Sequence, residues 1–184
     1  LDVKRKNGQF IGSFAGYGYQ KDPENKNHLI IDEYAAEIVR FIFNLKMGGY
    51  SSQRIATKLN EMGVLPPLEY KRSRGMKYNS GFRSGANPKW AVTTVNRILT
   101  NELYTGTMVQ GKNRKINYKV KECRPVAEEN WIRVEKTHEA IIAEEIFQYV
   151  QSLLDLDTRT APDEDSVYLF SGFLRCGDCG QNMV

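Results

Sequence analysis

The segment Cys176-Gly177-Asp178-Cys179-Gly180 has the form of half a zinc knuckle, and it sets the strictest limit on how this chain can fold. A structural zinc takes four protein ligands, usually as two such pairs. Only one Cys-x-x-Cys is present, and the remaining cysteine, Cys123, stands alone. Cys176 and Cys179 are therefore expected to form an incomplete zinc site, completed only in a longer protein. The start at Leu1 rather than Met points the same way. Residues 1–154 are left to build the hydrophobic core. Residues 155–166, acidic and broken by Pro162, read as a linker, and 167–184 read as the first part of a truncated zinc ribbon.

Composition is that of a globular protein, with 41% hydrophobic and 26% charged residues in 184. No run of eighteen apolar residues exists, so no transmembrane helix and no membrane partner are expected. Three cysteines are too few for a disulfide framework, and a reducing cytoplasm fits them better. The net charge of +4 conceals an asymmetry: residues 127–165 carry eleven acids against three bases, so the rest of the chain is strongly basic. The bases cluster in 66–90 (Lys71, Arg72, Arg74, Lys77, Arg83 and Lys89) and in 111–124 (Lys112, Arg114, Lys115, Lys119, Lys121 and Arg124). Clustered bases with few compensating acids favour a polyanionic partner, the alternative being two solvated loops.

Apolar spacing predicts four helices. Ala35, Ile38, Phe41, Ile42 and Leu45 recur at three and four residues, with Asp32 placed to accept from first-turn amides and Gly48-Gly49 to stop the helix. Ser51 opens a second helix through Ile55, Leu59 and Met62, which Gly63 ends. A third covers about residues 91–100 with Val92, Val95, Ile98 and Leu99 inward, and a fourth runs from Glu144 to Leu154. Residues 1–31 read as an extended, Gly-rich entry with a turn at Asp22-Pro23-Glu24-Asn25 and a short strand at Leu29–Ile31. Residues 64–89 read as one long basic loop. Thr105–Gln110 and Ile116–Cys123 read as the strands of a hairpin whose charged tip is residues 111–115, and Trp131–Val134 as a third strand.

The predicted class is α+β: a mainly helical, winged helix-turn-helix-like domain with a small antiparallel sheet. In such a domain the second helix of the pair enters the DNA major groove and the wing reaches phosphates or a minor groove. Thr93, Thr94, Asn96 and Arg97 face outward on the third helix, where Arg97 has the geometry for guanine, Asn96 for adenine and the threonine methyls for thymine. A merely solvated helix face would carry similar residues. Lys89, Arg72, Arg74, Lys112, Arg114 and Lys115 are the candidate backbone contacts. A hydrolytic site is not legible, because His28 and His138 are far apart and belong to no carboxylate cluster.

Several short motifs in order resemble one family. They are Gly16-Tyr17-Gly18-Tyr19, Ala35-Ala36-Glu37-Ile38-Val39, Gly49-Tyr50-Ser51, Leu59-Asn60, Trp90 with Val95 and Ile98-Leu99, Asn101 with Tyr104 and Gly106, and His138-Glu139-Ala140-Ile141-Ile142. With Leu169 to Gly180 they are similar to the central DNA-binding domain of the large serine recombinases and the opening of its zinc ribbon. The chain departs from that pattern at Ala15, at Ala91 near the recognition-helix start, and at Glu102. The resemblance implies a parent enzyme performing site-specific recombination of a mobile element, a dimer on each site and a tetramer in synapsis. The catalytic serine would lie in a separate domain that this chain does not contain, with residues 1–8 leaving the helix that joins the two. Ser51 and Ser52 read as helix-start residues and Ser13, Ser80 and Ser84 as loop, so no residue here is a catalytic candidate. The alternative is a stand-alone winged-helix transcription regulator, which the half-knuckle and the non-Met start argue against.

Overall fold

Helix α2, Glu33–Met47, is the centre of the fold: Ala35, Ala36, Val39, Ile42 and Phe43 along one stripe are almost wholly buried. The computed structural model describes residues 2–77, 88–115, 122–155, 174 and 176–180. Before α2 come a short helix α1, Asp2–Lys6, and an antiparallel hairpin of β1, Tyr19–Lys21, and β2, Leu29–Ile31. After it come α3, Ser52–Glu61, α4, Pro67–Ser73, and α5, Val92–Leu99. A 3-10 turn at Glu102–Thr105 leads to β3, Met108–Gln110, β4, Asn113–Lys115, β5, Cys123–Pro125, β6, Ile132–Val134, and α6, Glu144–Asp155. The mixed class matches the expectation from sequence.

Helices α3, α5 and α6 each pack on α2, and α5 also meets α3 and α6. Ile55 and Leu59 of α3, Val95 and Leu99 of α5, and Val150 of α6 meet in one core, fully excluded from water. Each such side chain contributes about 1.5–3 kcal/mol on burial. The end of α2 is closed by glycine: Gly49 adopts φ +83° while its N–H reaches Lys46 O and that of Tyr50 reaches Leu45 O.

Tyr104, Tyr19 and His138 find hydrogen-bond partners inside the fold. Tyr104, wholly buried, donates to Tyr17 O at 2.9 Å, and Tyr19 donates to Glu139 O at 2.9 Å. His138 is buried edge-on to Tyr19, with Nε2 2.8 Å from Leu103 O and Nδ1 2.7 Å from Thr137 Oγ1. Burial pushes its pKa down. The neutral ring then donates from Nε2 to the carbonyl and accepts the threonine proton at Nδ1. Gly106 lets this layer close, since a Cβ there would lie 2.8 Å from His138 O and its φ is +84°.

The structure corrects the sequence reading in four places. Residues 1–31 are not all extended, because Asp2–Lys6 is helical. Asp32 is the N-cap residue of α2 but makes no side-chain cap bond. Its carboxylate instead accepts from Tyr70 and Arg74. The loop at 64–89 contains α4, begun by Pro67 at its first turn and anchored by that Tyr70 bond. Finally, β3 pairs with β6 and β4 with β5. Of the expected hairpin of 105–110 with 116–123, the described end of the second strand, Cys123, pairs instead with Lys115, because Asn113–Lys115 is itself a strand. Residues 116–121, most of the second expected strand, lie outside the described residues, as do most of the linker and of the ribbon start.

Candidate nucleic-acid interface

Helix α5 presents the two faces its sequence requires. Val95, Ile98 and Leu99 are buried, Thr93, Asn96 and Arg97 are exposed, and Thr94 is half-buried. Its N-cap residue Ala91 has no side chain able to accept a cap bond. The lead-in is fixed differently. Asn60, in the last turn of α3, accepts from Trp90 N–H at 2.7 Å and donates to Trp90 O at 3.1 Å. The Trp90 ring is buried, and its indole N–H donates to Val64 O at 2.9 Å. Lys89, exposed, immediately precedes this anchor. Among the described residues neither Arg97 nor Lys89 has an ion-pair partner.

Helix α3 begins at Ser51, whose hydroxyl accepts from Arg54 N–H at 3.3 Å. Arg54 and Lys58 then lie 5.2 and 5.4 Å from the centre of the Tyr50 ring. Sequence reading did not single out these two cations. Their i, i+4 spacing on the outer face of α3 was the available signal.

Arg72 and Arg74 sit at the end of α4 and both meet carboxylates. Arg72 Nη1 is 2.8 Å from Glu69 Oε1, and Arg74 Nη1 is 2.8 Å from Asp32 Oδ2. Arg74, expected as a phosphate contact, thus has a role inside the fold. Lys71 does too: its ammonium donates to Ala15 O at 2.7 Å, and burial lowers its pKa. The Tyr17 ring stands edge-on to both Tyr70 and Trp90, with centroids 5.5 and 5.7 Å away, and so connects α4 with the start of α5.

The third group of bases lies on β4 and its approach. Lys112 Nζ is 4.4 Å from the centre of the Trp131 ring, within cation–π range. Arg114 is exposed and sits directly across the ladder from Arg124. Lys115 stands opposite Cys123, which is exposed. Like charges directly opposite each other on a ladder repel. Arg124 is partly compensated by Glu122 at 3.7 Å, whereas Arg114 has no carboxylate partner among the described residues.

At the far end of the chain, residues 177–179 form a turn that brings Gly180 N–H to Cys176 O at 2.9 Å. Amide N–H groups of Cys179 and Asp178 are directed at the Cys176 sulfur, which pulls that thiol's pKa down. Such donors stabilise a thiolate, the form that binds a metal. The turn therefore suits one half of a zinc knuckle. Among the described residues no group of three or more His, Cys, Asp or Glu side chains is placed to complete it.

A family model described as Recombinase matches residues 33–157, more than half of the chain. This chain belongs to the Recombinase family. A Bacillus subtilis (strain 168) protein named "Putative DNA recombinase" is 31% identical to it over 199 residues, spanning 98% of this chain and 35% of that protein. "Uncharacterized protein YefB" from the same organism is 36% identical over 114 residues, spanning 58% of this chain and 38% of that protein. This recombinase-family chain thus spans little more than a third of the length of the curated relatives it matches. Two solved structures share the fold, each with a TM-score of 0.56. "Crystal Structure of a LSR-DNA Complex" is 19% identical and covers 100% of this chain and 45% of the other. "Sequence Requirements of the Listeria innocua prophage attP site" is 22% identical and covers 98% and 61%. Among the described residues, no helix of this family member is long and apolar enough to cross a membrane.

Proposed function

We propose that this chain binds double-stranded DNA in a sequence-specific manner, as the DNA-binding part of a large serine recombinase acting at the attachment sites of a mobile element. The observation that carries the reading is the exposed face of α5. Thr93, Asn96 and Arg97 stand on the outer side of a helix of eight residues whose inner side is locked in the core. At roughly 12 Å long, that helix fits a major groove of similar width. Arg97 has no carboxylate partner among the described residues, which leaves its guanidinium to a base edge. Family membership and the naming of a relative as a DNA recombinase and of a structural neighbour as a DNA complex support it.

The roles divide by chemistry. Arg97 donates two parallel bonds to guanine O6 and N7, Asn96 pairs with adenine, and Thr93 and Thr94 meet thymine methyls. Lys89, Arg72, Lys112, Arg114 and Lys115 neutralise phosphates and set register without reading sequence. A phosphate near the Arg114–Arg124 pair would relieve its repulsion. Arg74 acts indirectly, holding α4 through Asp32. In the whole protein, Cys176 and Cys179 would supply two thiolates to a zinc ribbon, and strand exchange would run through dimers on each site and a synaptic tetramer.

Salt tests the phosphate part. Each phosphate neutralised contributes about −0.9 to the slope of log K against log salt, so five contacts give a slope of about −4.5. Affinity for duplex DNA measured across a salt series is expected to fall accordingly, and a flat response would remove the electrostatic reading.

A further inference from the structure

Helix α5 makes two kinds of contact with the rest of the domain. Its inner face is apolar, with the side chains of Val95, Ile98 and Leu99 packed in the core, and its last turn is held by Gln151 of α6, which donates to Leu99 O at 2.8 Å. Apolar burial resists removal of a helix from the core but is non-directional, and so only weakly fixes its position along its own axis or its rotation about it. Side-chain readout of base edges needs both to be fixed within about half an ångström. The usual device at a helix start is a capping side chain, and Ala91 has none.

The bidentate contact from Asn60 stands at that place. Its carboxamide bonds both main-chain groups of Trp90, the residue just before the N-cap, at 2.7 and 3.1 Å. The orientation is chemically determined: turned over, the amide would set NH₂ against N–H and oxygen against carbonyl. Asn60 is itself on α3, which packs along α5, so the bond sets the height of one helix against the other. The Trp90 indole adds a bond to Val64 O at 2.9 Å. The chain leaves at Val64 and returns at Trp90 to adjoining points, so the basic excursion between them is closed at its base.

We infer that Asn60 is a positioning residue for sequence readout: by holding the Trp90 main chain it sets where Arg97, Asn96 and Thr93 project, without touching DNA itself. This rests on the proposed reading of α5 as the base-contacting helix. It separates Asn60 from a phosphate-binding base, whose loss weakens all sequences alike, and from a core residue, whose loss lowers stability and leaves discrimination intact.

The experiment uses duplex DNA selected from a randomised pool by the wild-type chain, with a scrambled duplex of equal length as reference. Asn60→Ala removes both bonds. Asn60→Asp keeps the acceptor for Trp90 N–H but sets an oxygen against Trp90 O. Each variant is expected to lower the ratio of selected to scrambled affinity about tenfold, with the affinity for scrambled DNA and its salt slope unchanged. Combined with Arg97→Ala, the loss is expected to be less than the product of the single losses, because both act through the same base contacts. Asn60→Asp, the milder change, decides the question should Asn60→Ala not fold. A folded variant with its discrimination intact, or with selected and scrambled DNA weakened equally, overturns the inference while leaving the DNA-reading proposal standing. A wild-type chain that selects no sequence overturns both.

Discussion

The hydroxyl of Tyr70 lies 3.0 Å from each carboxylate oxygen of Asp32, and Arg74 Nη1 completes the cluster at 2.8 Å from one of them. Asp32 is nearly buried and begins α2, while Tyr70 and Arg74 belong to the segment between α3 and α5. The cluster therefore ties a chain excursion to the central helix. Tyr34, stacked on Tyr70 at 5.4 Å between centroids, covers it from α2. Asp32→Ala removes the carboxylate that Tyr70 and Arg74 share and should cost about 1–3 kcal/mol. Tyr70→Phe keeps the ring contacts and should cost about 1 kcal/mol. Urea unfolding measures both, and hydrogen exchange should show residues 68–74 losing protection first. Full protection of α4 in Asp32→Ala would show that the cluster does not hold the helix.

Acid should weaken the fold through His138. Burial holds its pKa below the ordinary histidine value, so between the two values the unfolded chain binds more protons than the folded one. Stability then rises with pH through that window. The contribution is present above about pH 6.5 and is lost progressively as pH falls toward the depressed folded value. The ring faces Tyr19, Thr137 and the Leu103 carbonyl, none of which offers a compensating negative charge. The urea midpoint measured from about pH 7.5 to 5 should fall, and His138→Gln should flatten the acid limb even if it lowers the whole curve. An unchanged slope in that variant would assign the acid response to other groups.

Zinc should have little hold on this chain by itself. A closed site needs about four ligands for its folding energy, and Cys176 and Cys179 offer two. Metal analysis of the purified chain is expected to find far less than one zinc per molecule. Chelation should leave the helical signal unchanged, because the core of α2, α3, α5 and α6 draws nothing from residues 176–180. Stoichiometric zinc in a monomer, lost together with helicity on chelation, would contradict this.

Sequence periodicity was a sound guide where a helix has one apolar face and a clear stop. It located α2, α3, α5 and α6 because Val39, Ile55, Val95 and Val150 lie at the centres of stripes that burial alone explains. It failed where a distant partner decides. Nothing local marks Tyr70 as the anchor of α4 or diverts Asp32 from capping, since the bond joins residues 38 apart. Strand pairing was missed for a similar reason. Met108 pairs with Val134, far along the chain, and the three-residue strands carry too few positions to specify a register. The outward residues of α5 were legible from the same periodicity as its core. The Asn60 contact with Trp90 was not, because it spans 30 residues and bonds main-chain atoms.

The most direct test of the central claim is a binding profile over single-base-pair variants of a selected duplex, taken with the wild-type chain and with Arg97→Ala. The wild-type profile should show positions costing about 1–3 kcal/mol when changed, and Arg97→Ala should flatten one of them while losing a similar amount on the parent duplex. Lys112→Ala and Arg114→Ala should lower every point alike and reduce the salt slope by about one each. A profile in Arg97→Ala that keeps the wild-type preferences at every position would contradict the assignment of α5 as the helix that reads DNA.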